Sequence, residues 1–402
     1  MRQVLRRASV SEYANRFKPM KTHEVDYFPK FDWLRGILAA VVVLKHDRVL
    51  HWAQAGTFAV DVFFALSGWL IGGLLLRVTR DDLPRFYFNR AMRIWAPYYI
   101  ALALLLLASV LHHDVLNAKW VEFVVYKLTF VYNLFGTPQL ASQLAQMPLQ
   151  GTGSHLWSVN AEEQFYLIAP LLLVLAARWL GREPLTWAGL AVLAWMTHVY
   201  AAIVFGVLAA VLVHRFGPVH LTRAGRLALV AVGIGSSFGL ALDLGYDLIA
   251  PVCAICIVLL LAIKGPKRPI GTLVGGMSYP LYLNHWIGVF VGNAALGPWG
   301  LRDTGSRQLL AFVLNVGIAV ALYWFVDRRL LALRGAVYNP WRASAITYAG
   351  YGLVATGLFF GMVVYGRNSP VSSWIAAALF CSVLGFIWIG SRTSSCRSSE
   401  RS

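Results

Sequence analysis

Long apolar runs dominate this sequence of 402 residues and limit what it can fold into. Most of the runs are roughly 17 to 25 residues long, the length that crosses the hydrocarbon core of a bilayer as a helix. The composition agrees, because 58% of the residues are hydrophobic and only 13% are charged, whereas about a quarter are charged in a typical soluble domain. We therefore predict an all-α polytopic membrane protein, folded as a transmembrane helix bundle.

The runs predict twelve helical spans, a ten-span core followed by about two C-terminal spans. They lie near residues 31–50, 57–76, 94–112, 156–178, 183–198, 199–214, 226–244, 248–264, 270–296, 308–326, 346–366 and 373–391. The stretch 183–214 is ambiguous, since a helix of that length would measure about 48 Å, too long for one span and short for two. Counting it as two spans places most lysines and arginines on the side of the N-terminus, and basic loops are usually cytoplasmic. We therefore expect two short spans there and both termini in the cytoplasm.

The charge and the cysteines indicate neither a nucleic-acid partner nor a metal site. A net charge of +17 would suggest nucleic-acid binding in a soluble protein, but here the basic residues flank the apolar runs. Cys253 and Cys256 have a C-x-x-C spacing inside an apolar run, where small core residues are the favoured interpretation. Residues 1–30 are polar and basic and show no signal-peptide pattern, so we expect a cytoplasmic N-terminal segment.

Two ionisable residues in the first span are candidates for a site, because such groups are costly at membrane depth. Arg35 and His46 are eleven residues apart in FDWLRGILAAVVVLKHD. On a helix this spacing places both on one face, about 16.5 Å apart along the axis. Histidine is a natural proton acceptor near neutral pH. The alternative is that His46 merely ends the span near the outer headgroups, beside Lys45 and Asp47.

Three further regions carry polar groups at or inside the ends of spans. Asp61 and Ser67 lie in the second span, where small residues also suit close helix packing. Arg90 and Arg93 share a helix face before the third span. Arginine suits phosphate oxygens, although a basic loop beside anionic lipid explains the pair equally well. Glu162 enters the fourth span, where a proton role competes with the ordinary preference of acidic groups for helix N-termini.

The ninth span adds Ser278, Tyr282 and His285 at helical spacing, a stripe that structural polar contacts also explain. Together these residues describe one bundle with inward-facing histidines, carboxylates and hydroxyls and a cytoplasmic arginine cluster. Such a bundle suits a transporter with a proton relay. It suits equally an enzyme that uses a cytoplasmic, phosphate-bearing donor.

Five motifs, in order along the chain, resemble those of the acyltransferase-3 family of integral membrane acyltransferases. The first two are the arginine and histidine of FDWLRG…VVVLKH and the stretch GTFAVDVFFALSGWLI. The third is FYFNRAMRIWAPYY, with Arg90, Arg93 and Pro97, and the last two are LWSVNAEEQFY and SYPLYLNHW. The chain departs from the family at residues 159–161, which replace the usual leucine, serine and valine. It also departs at Arg329, which stands where a proline is frequent.

The resemblance covers residues 31–329 and implies a ten-span acyltransferase domain there. The basic segment 1–30 would precede this domain, and residues 330–402 would add two spans and a short tail. The family transfers an acyl group, usually acetyl from acetyl-CoA, to a hydroxyl, mostly of cell-envelope or exported polysaccharides or glycolipids. Acyl-CoA would then be a co-substrate with no cofactor bound, and the location would be the cytoplasmic membrane of a bacterium. A transporter or flippase of a lipid-linked or anionic solute is the alternative.

The resemblance also implies roles for the polar residues. His46 is expected to act as a base or an acyl relay, with Arg35 as its companion toward the donor. Glu162 is expected to tune His46 or to bind the acceptor hydroxyl, and Arg90 and Arg93 are expected to hold the phosphates of CoA. A second tier of candidates consists of Asp61, Ser67, Trp157, Ser158, Tyr166, Ser278, Tyr279 and His285.

Overall fold

The computed structural model describes residues 27–177 and 181–365, and every regular element within them is a helix. The predicted all-α class is confirmed for this part of the chain. Helices of eight or more residues are numbered here in chain order: α1 Pro29–His46, α2 Ala55–Leu75, α3 Leu83–Leu111, α4 Ala118–Leu128, α5 Trp157–Pro170, α6 Pro184–Thr197, α7 Ala201–Phe216, α8 Arg223–Ala241, α9 Tyr246–Leu261, α10 Pro269–Asn284, α11 Trp286–Leu296, α12 Gly305–Leu322, α13 Arg328–Val337 and α14 Pro340–Val364. A π-helical turn extends α5, and another joins α12 to α13.

Helices cover eleven of the twelve predicted spans, although the span predicted at 270–296 is two helices, α10 and α11, that meet at His285; the twelfth, 373–391, lies outside the described residues. Within the described residues, five stretches are long and apolar enough to cross a membrane: Ala55–Leu75, Arg80–Leu111, Arg223–Ala241, Gly305–Val337 and Pro340–Val364. The apolar helices α6, α7 and α9 are shorter. The protein is therefore an integral membrane helix bundle, and the count of ten plus two spans stays a prediction.

The ambiguous stretch 183–214 forms two helices, as the charge distribution predicted. Helix α6 ends at Thr197 and α7 begins at Ala201. Between them, His198 and Tyr200 have φ values of 57° and 50°. This left-handed conformation is uncommon for residues other than glycine, and it ends a helix because it turns the chain out of the helical path.

Glycines let α2 and α7 cross at close range. A Cβ atom on Gly68 would lie 2.1 Å from the carbonyl oxygen of Ile203, and one on Gly206 would lie 2.3 Å from that of Ala65. Small residues at such crossings bring two backbones together and increase their van der Waals contact. The small residues noted in the second span therefore do serve packing at Gly68.

The segment between α3 and α5 is itself partly helical and packed. Helix α4 buries Lys127 and Glu122. The carboxylate of Asp114 accepts a hydrogen bond from the backbone N–H of Leu149 at 2.7 Å. These contacts hold the segment against the bundle and fix the chain that leads into α5.

Helix α14, in the region expected to add two spans to the acyltransferase domain, packs into the bundle. The hydroxyl of Tyr351 donates to the carbonyl oxygen of Leu167 at 2.7 Å and lies 2.7 Å from the hydroxyl of Tyr87. A Cβ atom on Gly357 would clash with Thr129. Helix α14 therefore contacts α3, α5 and the chain that follows α4.

Candidate active site

A large cavity opens between the helices and contains most of the predicted polar residues. Its volume is about 1320 Å³, larger than the roughly 300 to 1,000 Å³ of common small-molecule sites. Positively charged side chains predominate among its ionisable lining residues: Arg35, Arg77, Arg90, Arg93, Lys264 and Lys267 are the arginines and lysines, and Asp32, Asp82, Glu162 and Asp327 are the acids. A cavity with this lining suits a long, anionic ligand.

Nine of the predicted site residues line the cavity, and four do not. Those that line it are Arg35, Ser67, Arg90, Arg93, Ser158, Glu162, Tyr166, Ser278 and Tyr279. Those outside it are His46, Asp61, Trp157 and His285. The structure thus separates the predicted residues into a cavity group and four residues outside it, of which the two histidines contact each other.

Arg35 is held at the cavity by Asp32, a residue that the sequence motifs did not single out. The guanidinium of Arg35 lies 3.6 Å from the Asp32 carboxylate, which also accepts a hydrogen bond from the hydroxyl of Tyr27. A Cβ atom on Gly275 would lie 2.6 Å from an oxygen of Asp32. Glycine in α10 therefore makes room for the carboxylate that orients Arg35.

Arg90 and Arg93 reach the same cavity from α3, as their shared helix face predicted. The guanidinium carbon of Arg90 lies 5.6 Å from the centre of the Tyr166 ring and 5.8 Å from that of Phe86. The Nε atom of Arg90 is buried and has no hydrogen-bond partner in the described part of the chain. A buried charged donor without an acceptor is costly, so this guanidinium is prepared to bind an anion.

Glu162 belongs to the cavity wall, where it joins two helices. It accepts a hydrogen bond from the hydroxyl of Ser67, so that α5 and α2 are linked at this point. Ser158 and Tyr166 lie one helical turn before and after Glu162 and line the cavity with it. The neighbouring Glu163 accepts instead from the indole N–H of Trp95 at 2.8 Å.

His46 lies at the end of α1 and packs against two other histidines. Its side chain is exposed, and its ring stacks on that of His285 with centroids 4.9 Å apart and an interplanar angle of 16°. The ring of His155 lies 4.4 Å from that of His285 and 6.1 Å from that of His46. We call these three residues the histidine cluster. Within the described residues no group of histidine, cysteine or acidic side chains is arranged to hold a metal ion.

His155 is the member of this cluster that sequence reasoning missed. It lies in a short 3₁₀ turn, Ser154–Leu156, before the start of α5, so helical spacing could not connect it with any other polar residue. Burial, with His285 and His46 nearby, lowers the pKa of His155 well below its usual value. This imidazole is therefore neutral at physiological pH.

A tyrosine and a serine stand between the cavity and the histidine cluster. The hydroxyl of Tyr282 lies 2.5 Å from that of Ser158 and donates to the carbonyl oxygen of His155 at 2.8 Å. Both side chains line the cavity, while the Tyr282 ring lies 5.6 Å from that of His155 and 6.4 Å from that of His285. We call Tyr282 and Ser158 the hydroxyl pair. It forms the wall between the cavity and the three imidazoles.

Four of the second-tier residues make contacts that explain them structurally. Asp61 accepts a hydrogen bond from Tyr246 at 2.7 Å, and the ring of Trp157 packs edge-on against Phe64. The hydroxyls of Ser278 and Tyr279 donate to backbone carbonyls at 2.7 and 3.2 Å. The contact of Asp61 joins helices away from the cavity, and that of Trp157 supports Phe64, which lines it, whereas Ser278 and Tyr279 are themselves part of the lining.

Comparison with known proteins identifies the family. A family model described as an acyltransferase domain matches residues 28–324. The chain belongs to this acyltransferase-3 family. The resemblance stated from the motifs is confirmed, and the matched region contains every predicted site residue.

Curated relatives of this acyltransferase-3 protein match it over part of its length. The peptidoglycan O-acetyltransferase OatA of Listeria monocytogenes is 30% identical over 183 residues, which are 43% of this chain and 29% of the relative. The O-acetyltransferase OatA of Staphylococcus aureus is 27% identical over 157 residues, 38% of this chain and 26% of the relative. The chain thus matches less than a third of the length of these relatives. No solved structure gives a significant match.

Proposed function

We propose that this acyltransferase is a membrane O-acyltransferase that moves an acyl group, acetyl in the first instance, from cytoplasmic acyl-CoA to a hydroxyl group. The acceptor we propose is a cell-envelope or exported polysaccharide or glycolipid. The names of the relatives, which describe O-acetyl transfer to peptidoglycan, support this acceptor class. The observation that carries the proposal is the convergence of three arginines from two helices on one cavity, whose wall includes the hydroxyl pair that contacts the histidine cluster.

The cavity supports a long anionic donor. Arg90 and Arg93 would bind CoA phosphates, because guanidinium groups form strong charge-assisted hydrogen bonds with phosphate oxygens. Arg35, oriented by Asp32, would bind the same donor from α1. Because both ends of the chain are expected in the cytoplasm, the beginning of α1 would lie on the side where acyl-CoA is available. The thioester would then point along α1 toward the hydroxyl pair.

At the other end of α1, His46 is the residue that we propose takes part in the acyl transfer itself. About 16.5 Å of helix separates it axially from Arg35, and its exposed side chain is accessible to an acceptor that does not pass through the cavity. In the proposed transfer, His46 takes the proton of the acceptor hydroxyl. The oxygen forms an ester bond with the acyl carbon, the carbon–sulfur bond breaks, and the CoA thiolate leaves and takes up the proton. An acyl relay, in which the imidazole itself carries the acyl group, is the second version.

The contacts of Glu162 favour a role in the cavity over direct contact with His46. Its hydrogen bond goes to Ser67 at the cavity wall, whereas His46 packs against His285 and His155. We therefore propose that Glu162 shapes the cavity and, with Ser67, positions the donor or the incoming acyl group. The expectation that Glu162 tunes His46 directly receives no support from these contacts.

Donor consumption tests the proposal and separates it from a transporter or flippase, which would leave acetyl-CoA intact. Purified full-length protein in detergent is given acetyl-CoA and a soluble glycan acceptor, and CoA binding and release are measured. We expect Arg90→Ala to weaken binding about 10- to 100-fold, because a hydrogen bond to a charged group contributes roughly 1.5 to 3 kcal/mol. We expect His46→Asn to keep binding and to slow CoA release by about 10²- to 10⁴-fold.

Two matched controls accompany these variants. Arg329→Ala removes an exposed arginine outside the cavity, whose guanidinium lies against the ring of Phe325. His113→Asn removes an exposed histidine between α3 and α4. Both should behave as wild type. A folded wild-type protein that shows no saturable CoA binding would contradict the proposal. Acyl-histidine trapped at position 46 would select the relay version over the base.

A further inference from the structure

Two imidazoles of the histidine cluster are each held by a backbone group. The Nε2 atom of His155 lies 3.2 Å from the carbonyl oxygen of Leu283, and the Nδ1 atom of His285 lies 2.8 Å from that of Tyr282. A ring nitrogen that faces a carbonyl oxygen must donate, so the other nitrogen of a neutral ring carries a lone pair. The rings of His155 and His285 are therefore each fixed in one tautomer with one free nitrogen.

The residue His155 connects the start of α5 to the end of α10 at two points. Its ring donates to Leu283, and its carbonyl oxygen accepts from the hydroxyl of Tyr282. His285 comes directly after α10, so both bonds act on the segment that carries it. On the other side, the carbonyl oxygen of Gly153 accepts from the buried amine of Lys127 at 2.8 Å, which fixes the turn that presents His155.

The three rings of the histidine cluster are arranged from a buried residue, His155, to an exposed one, His46. His155 is buried, with 4% of its surface exposed, and His285 is buried, with 3% exposed, while His46 is exposed. His155 packs against His285, and His285 stacks on His46. His46 is thus supported from the buried side, and its free nitrogen is the one that a substrate can approach.

We propose that His155 is a positioning residue for acyl transfer, acting through His285 to hold the ring of His46 in its reactive orientation. This inference rests on the proposed function. Whether His46 acts as a base or as an acyl relay, its free nitrogen is the reacting atom, and a displacement of about 1 Å is enough to slow an enzymatic reaction about 100-fold.

Steady-state kinetics of two substitutions test the proposal. His155→Phe removes the hydrogen bond to Leu283, whereas His155→Asn keeps an N–H donor that can restore it. We expect His155→Phe to lower kcat about 10- to 100-fold with the KM for acetyl-CoA unchanged within about twofold, because the donor cavity is untouched. His155→Asn should recover a substantial part of kcat, and the control His113→Asn should match wild type. A wild-type kcat in His155→Phe would refute the inference. Equal kcat values for His155→Phe and His155→Asn would also refute the inference, since they would show that the hydrogen bond to Leu283 does not affect acyl transfer.

A second measurement does not depend on acyl transfer. Diethyl pyrocarbonate acylates accessible imidazole nitrogens, and mass spectrometry reports the rate at each histidine. In the wild type, exposed His46 should react and buried His285 should be protected. We expect His155→Ala to make His285 react at least about tenfold faster, because the substitution removes the ring that covers it. If the wild type transfers no acyl group but His285 loses protection, the proposed function fails while the support of the cluster stands. Unchanged protection of His285 would refute the support itself.

Discussion

Replacing Lys127 with methionine should abolish a rise in stability with pH that this lysine gives the protein. Lys127 lies on α4 and is only 2% exposed. Its amine donates to the carbonyl oxygen of Gly153 at 2.8 Å and lies 3.5 Å from the centre of the Tyr132 ring. Burial lowers the pKa of Lys127 from 10.5 to about 7. The folded protein therefore releases this proton at a much lower pH than the unfolded chain does.

The magnitude follows from this difference in pKa. Between pH 7 and pH 10.5 the unfolded chain holds a proton on Lys127 that the folded protein has released. Stability then rises with pH by about 1.4 kcal/mol per unit, because a state that binds fewer protons is favoured as protons become scarce. From pH 7.5 to pH 9.5 the rise is roughly 2 to 3 kcal/mol. Well below pH 7 both states are protonated and the slope vanishes.

Denaturant titrations of the purified protein in detergent, at pH 7.5, 8.5 and 9.5, measure this slope. The control is Lys119→Met on the same helix, since Lys119 is partly exposed and lies 2.8 Å from Glu122. Over these two pH units, we expect the stability of wild type and of Lys119→Met to rise by roughly 2 to 3 kcal/mol relative to that of Lys127→Met. Parallel curves for wild type and Lys127→Met would refute the argument, because they would show that the amine is neutral or charged in both states alike.

Three further substitutions test the packing. Gly68→Ala should destabilise the protein by about 1 to 3 kcal/mol, because its Cβ would lie 2.1 Å from a carbonyl oxygen of α7; Gly73→Ala, with nothing within 4 Å, should be neutral or slightly stabilising in the same thermal unfolding assay. Asp47→Asn should lower the free energy of unfolding by about 3 to 5 kcal/mol, because it leaves the buried guanidinium of Arg307 without its charged partner. The double variant Asp47→Asn with Arg307→Gln should recover part of this stability in denaturant titrations. Tyr351→Phe should cost about 1 to 3 kcal/mol, since it removes the hydroxyl that links α14 to α3 and α5, and a wild-type melting temperature would count against that link.

The elements of the bundle could be predicted from the sequence, because membrane depth leaves few choices to an apolar run. The break between α6 and α7 is an example. The basic loops indicated two spans in 183–214, and the left-handed residues His198 and Tyr200 separate two helices there. The number of membrane crossings could not be fixed in this way, since α6, α7 and α9 are shorter than a typical span.

The site was only partly predictable, because motif spacing describes one helix at a time. Arg90 and Arg93 share a face within α3, and both do line the cavity. The other predicted site residues are in contact with residues from distant parts of the chain. His285 stacks on His46, Ser67 hydrogen-bonds Glu162, and neither pairing follows from local periodicity. His155 lies in a short turn before α5, so the residue spacing within α5 gives no information about its neighbours.

The part of the chain beyond the matched domain is also relevant to the proposed donor site. Helix α3 carries Arg90 and Arg93, and polar contacts hold it on both sides of these arginines. Before them, Tyr87 bonds to Tyr351 of α14, which lies outside the family match at 28–324. After them, Trp95 donates to Glu163. Because the arginines lie between these two anchors, the orientation of the proposed phosphate-binding groups depends on α14 as well as on the acyltransferase domain. Helix α14 carries none of the predicted site residues, and its contribution is to hold α3, which carries Arg90 and Arg93.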